Sequence, residues 1–177
     1  MDNDLTRRDL IRLGAAATLA ASIGVGEPLT AQTPAPAFFT PDEFALLDEL
    51  SEMIIPTDTQ SPGARAARAA AYIDGRLKEG WEETARTQWR EGLKLVQQLS
   101  QETSGRPFLQ SAPDARLALL TRMAQNEGAP KKPEELFFAE LKSRVVQAYY
   151  TSEIGIQREM EYKGNSYLTE FVGTDVS

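Results

Sequence analysis

From Thr40 to Tyr150, apolar residues recur three and four positions apart, and turn-forming residues separate the runs. Phe44, Leu47, Leu50 and Ile54 share one helical face, with Leu46 and Met53 widening it. Thr40-Pro41-Asp42-Glu43 supplies a start: Thr40 suits the N-cap, Pro41 the first helical position, and Glu43 closes a capping box. Pro56 ends the helix, and everything from there to Gly63 is turn chemistry. The alanine-rich stretch Ala64 to Lys78 predicts a second helix, carrying Tyr72, Ile73 and Leu77. Beyond Gly80, the residues Trp81, Ala85, Trp89, Leu93 and Val96 fall on one face of a longer helix, with Ser100 to Pro107 as its break. Ser111-Ala112-Pro113-Asp114 opens a further helix bearing Leu117, Leu120 and Met123, which closes near Gly128. Pro133-Glu134-Glu135 opens the last one, with Phe137, Phe138, Leu141, Val145, Val146, Tyr149 and Tyr150. No stretch sustains period-two alternation between hairpin turns, so the expectation is an all-α single domain of about five helices around one core.

The first thirty residues follow different rules. Arg7 and Arg8, after Thr6 and before Leu10, Ile11 and Arg12, form a basic start, and no further charge appears until Glu27. The intervening run is mostly Ala, Gly, Thr and Ser, shorter and less apolar than the about 20 residues that a membrane-spanning helix needs. With the small-residue exit Leu29-Thr30-Ala31, residues 1–31 look like a twin-arginine export signal, a route for proteins already folded. Residues 32–39, with Pro34 and Pro36, read as an extended linker, and residues 40–177 as the helical domain. Without the signal, three basic and four acidic groups are lost and the net charge of −7 becomes −6.

Composition narrows the chemistry. The 177 residues include no cysteine and no histidine, which excludes disulfides, thiolate nucleophiles, iron–sulfur clusters, thiolate zinc sites, serine–histidine triads and imidazole metal ligands. The acidic balance argues against nucleic acid as a partner. Carboxylates are plentiful, among them Asp58, Asp74, Glu134, Glu135, Glu153 and Glu161, but most fall at helix starts or on solvated faces, and nothing pairs them across a cleft. The loop around Asp58 lacks the alternating acids of an EF-hand. No glycine-rich phosphate loop is present, so no fingerprint supports a nucleotide cofactor held by this chain. No catalytic, cofactor-binding or metal residue is therefore assigned.

Aromatic residues leave two readings open. Trp81 and Trp89, eight apart, share a helix face that serves either the core or a partner. Tyr149, Tyr150, Ile154, Tyr162, Lys163 and Asn165 make a tyrosine-rich tail punctuated by Gly155 and Gly164, which either caps the domain's own core or faces a partner.

Three words in this pattern carry a resemblance, the two C-terminal ones most specifically. Ile54-Ile55-Pro56-Thr57-Asp58 followed by Pro62-Gly63-Ala64, then Tyr149-Tyr150-Thr151-Ser152-Glu153-Ile154-Gly155, then Tyr162-Lys163-Gly164-Asn165, resemble the gluconate 2-dehydrogenase subunit 3 family. The resemblance runs from Phe44 to about Phe171. It implies a non-catalytic small subunit that binds, stabilises and escorts a large subunit of the glucose-methanol-choline oxidoreductase class. That partner carries FAD and oxidises a sugar, sugar acid or glycoside. The resemblance further implies a cytochrome c subunit as electron acceptor and a periplasmic location, peripheral to the inner membrane through the complex. With it, Tyr149, Tyr150, Ile154, Tyr162, Lys163 and Asn165 become candidate partner-interface residues, and Arg7 and Arg8 the groups read by the twin-arginine machinery. The rival expectation is a free-standing periplasmic helical binding or scaffold protein with no flavoenzyme partner.

Overall fold

Thr40 caps the first helix as its sequence predicts. In the computed structural model its side chain accepts a hydrogen bond from the Glu43 backbone N–H (3.2 Å), while the Glu43 carboxylate accepts from the Thr40 N–H (2.8 Å). This closed capping box starts α1, Pro41–Ile54. The structure describes residues 35–59, 61–80 and 83–160, all within one unit that runs from Ala35 onward. Along these residues follow α2 (Gly63–Ala66), α3 (Ala69–Glu79), α4 (Glu83–Ser104), a 3-10 turn (Phe108–Gln110), α5 (Pro113–Met123), α6 (Pro133–Tyr150) and a π-type turn (Gly155–Glu159). The described residues contain no strand, and five of the helices are eleven residues or longer, so the all-α expectation holds. None of these helices is long and apolar enough to cross a membrane.

α1 lies centrally, against α2, α3, α4 and α6, while α6 also packs on α3, α4 and α5. Leu46, Leu47 and Leu50 of α1 meet Ile73 and Leu77 of α3, Trp89, Leu93 and Val96 of α4, Met123 of α5, and Phe138, Leu141 and Val145 of α6 in one buried cluster. Trp89 stands nearly perpendicular to Phe137, with ring centroids 5.8 Å apart, the edge-to-face arrangement that aromatic quadrupoles favour.

Four expectations are corrected. The stretch Ala64 to Lys78 is two helices: Arg68 sits at φ 57°, left-handed and costly for a residue with a Cβ, and the chain turns there. The helix read as ending at Ser100 continues to Ser104. Its last turn is closed by side chains, with Thr103 Oγ1 donating to Leu99 O (2.7 Å) and Ser104 Oγ to Ser100 O (2.8 Å), until Gly105 leaves it at φ 69°. Leu117, assigned to the buried stripe of its helix, is 58% exposed; Leu119 is inside instead. Finally, the C-terminal part of the stretch read as linker is docked. Asp74, itself buried, accepts hydrogen bonds from the backbone N–H groups of Ala37, Phe38 (3.0 Å) and Phe39 (2.9 Å). Phe39 enters the core, and Phe38 lies under the Arg90 guanidinium, 4.5 Å from ring centroid to Cζ.

Candidate partner-facing site

The first two of the specific words fold into one structure. Past the end of α1, Ala64 N–H donates to Ile55 O (2.8 Å), closing the loop between them. Inside that loop Glu52 replaces the missing backbone partners. Its Oε1 accepts from Thr57 N–H (2.9 Å) and Thr57 Oγ1 (2.7 Å), and its Oε2 from Arg65 N–H (2.8 Å). Burial pushes the Glu52 carboxyl up, but the Thr57 hydroxyl, the Arg65 and Thr57 backbone N–H groups and the Arg65 charge together hold it below its ordinary value. Pro62 O lies equally close to Thr57 Oγ1 (2.7 Å), so the one hydroxyl proton is shared between it and Glu52, and Asp58 and Ser61 pair through two bonds, Ser61 N–H to Asp58 Oδ1 (2.6 Å) and Asp58 N–H to Ser61 O (2.8 Å). Gly63 completes the word for two reasons: its φ is +75°, and a Cβ there would lie 2.5 Å from Thr57 Oγ1.

The second word ends α6. Thr151 Oγ1 donates to Gln147 O (2.7 Å) and Ser152 Oγ to Tyr149 O (2.6 Å), so each of these carbonyls accepts both the hydroxyl and the backbone N–H (3.0 Å) of the same residue at the helix end. The chain then turns back so closely that a Cβ on Gly155 would lie 2.1 Å from Tyr149 O. Gly155 N–H donates to Ser152 Oγ (3.1 Å), and the π-type turn follows.

A buried hydrogen bond between the Ser61 and Tyr149 hydroxyls, 88 positions apart, joins the two words. Tyr149 is 1% exposed, so the structure places this candidate interface residue inside the chain. Its neighbour Tyr150, 40% exposed and edge-on to the Tyr149 ring at 5.3 Å, reaches the surface. Ile154 is half-buried on the returning turn. Tyr162, Lys163 and Asn165, with Arg7, Arg8 and Trp81, lie outside the described residues, so the structure brings together only Tyr149, Tyr150 and Ile154 of the assigned set.

Sequence reasoning missed Glu52, Ser61 and Asp74, the polar groups that organise the backbone here and at the docked linker. Asp74 stands in the sequence as one carboxylate among many; Glu52, two residues before the end of an apolar helix and five before a Thr, has the spacing of a C-terminal loop acceptor. Arg65 and Arg116 both pair with Glu49, at 2.8 and 2.5 Å, and Arg65 also with Asp48 at 2.6 Å, which fastens α2 and α5 to α1. Among the described residues, no group of three or more Asp or Glu is placed so that it could hold a metal ion. What the arrangement offers is a rigid, partly aromatic surface at the loop and the end of α6.

A family model described as gluconate 2-dehydrogenase subunit 3 matches residues 41–167. No curated protein and no solved structure matches the chain.

Proposed function

Because the chain belongs to the gluconate 2-dehydrogenase subunit 3 family, we propose that it is the non-catalytic small subunit of an FAD-dependent dehydrogenase of the glucose-methanol-choline class, acting on a sugar, sugar acid or glycoside. The observation that carries this reading is the family match, which spans all six helices and both structured words. The absence of His and Cys from the whole sequence supports a role outside the chemistry. Flavin belongs to the large subunit, and electrons leave it for an acceptor, a cytochrome c subunit in the fullest form of the complex, without a residue of this chain as an obligatory carrier.

The small subunit acts thermodynamically. A partner that binds only the folded catalytic subunit stabilises it by mass action, about 2.7 kcal/mol when present at a hundred times its Kd. Arg7 and Arg8 then direct the folded pair to the twin-arginine route and the periplasm. Replacing both by lysine is expected to leave the large subunit and its dehydrogenase activity in the cytoplasm, measured by fractionation of the native host. Normal periplasmic activity from the double variant would overturn the escort role.

A further inference from the structure

α4 and α6 leave an apolar groove of about 440 Å³ between them, with Trp89, Gly92 and Phe137 at its floor. A Cβ on Gly92 would lie 2.0 Å from the Phe137 ring, so the ring packs directly on the α4 backbone at a position that only glycine leaves free. On the rim, Leu136 is 52% exposed although the next residue of α6 is buried. The charged groups along the groove are both acidic, Glu91 on α4 and Glu140 on α6. Glu140 shares its charge with Arg144 (2.8 Å), whereas Glu91 has no ion pair among the described residues. Glu91 also lines the groove between α1 and α4, but there the bases Arg90 and Lys94 accompany it together with Asp42 and Glu43, whereas no base lines the α4–α6 groove.

Two long helical walls around an apolar trough suit a third helix, whose side-chain ridge fills the space between theirs. Acidic rims select a basic flank on that helix and disfavour an acidic one. We propose that the α4–α6 groove seats an amphipathic helix of the catalytic subunit, with apolar residues at helical spacing and Lys or Arg beside them. This rests on the accessory-subunit reading and names the surface that performs it.

The test uses the full-length tagged chain and, as probe, the flavin-bearing large subunit that purifies with it. Leu136→Glu, and separately the double variant Glu91→Lys/Glu140→Lys, are expected to weaken the complex about tenfold or more while the chain's own melting temperature stays the same. Leu117→Glu, equally exposed but outside the groove, is expected to bind as wild type. Wild-type affinity should also fall with ionic strength more steeply than that of the charge-reversed variant. If wild type binds the flavoprotein and Leu136→Glu binds it equally well, the groove assignment fails and the accessory role stands. If wild type brings down no flavoprotein, both fail. Self-association of the chain that Leu136→Glu abolishes would give the groove to a second copy and overturn the proposal.

Discussion

Tyr149 and Tyr150 show how one residue step decides a role. Each lies four residues after a valine, Val145 and Val146, so apolar spacing alone selects neither as the inward one. The structure buries Tyr149 because its hydroxyl finds Ser61 across the fold, a partner that no local pattern reveals. A hydroxyl sealed in a protein interior needs such a partner, and losing it costs about 1 kcal/mol. Tyr149→Phe and Ser61→Ala are therefore each expected to destabilise the chain by about 1 kcal/mol, with the double variant well short of their sum, as read by denaturant melts. Fully additive losses would mean that the two hydroxyls do not bond in solution. The glycines of the same two words were legible as turns, but the reason for Gly155 was not, since only the folded chain shows Tyr149 O where its Cβ would be.

At the scale of elements, helix starts were legible and interruptions were not. Pro41 and Pro133 stand at first helical positions with acids behind them, a local signal that needs no tertiary information. At the second of these starts, Glu135 accepts from Lys131 N–H (2.9 Å), Lys132 N–H (3.1 Å) and Asn126 Nδ2 (2.7 Å), bonds that hold its carboxyl down at about 2 against an ordinary 4.5. Because the folded value lies below the ordinary one, the stability Glu135 contributes is complete above pH 4.5 and is lost as pH falls toward 2. Glu135→Gln is thus expected to be less stable than wild type at neutral pH, with the gap closing between those two values in melts followed by circular dichroism. A gap that stays constant down to pH 2 would contradict the ionised acceptor. The break at Arg68 had no local signal, because a run of alanines favours one unbroken helix. It arises from competing anchors: Glu52 and Ile55 fix α2, while α3 is placed by its own buried face and by Asp74. The end of α4 did have a signal, Gly105, and in the turn before it Thr103 and Ser104 bond back to the helix carbonyls.

At the scale of the molecule, the sequence makes an all-helical body plain, and the family assigns that body to a dehydrogenase complex. The proposed partner-facing side was only partly legible. Tyrosines are conspicuous as letters, but the α4–α6 groove exists only once Gly92 and Phe137, 45 positions apart, are brought together. A subunit of a dehydrogenase complex has catalytic partner subunits, and the proposed function turns on which subunit this chain contacts. The most direct measurement is to purify the tagged full-length chain from its native host and record the visible absorbance of the eluate together with the masses present. The account predicts one large subunit with stoichiometric flavin. A stable, colourless chain recovered alone would contradict it.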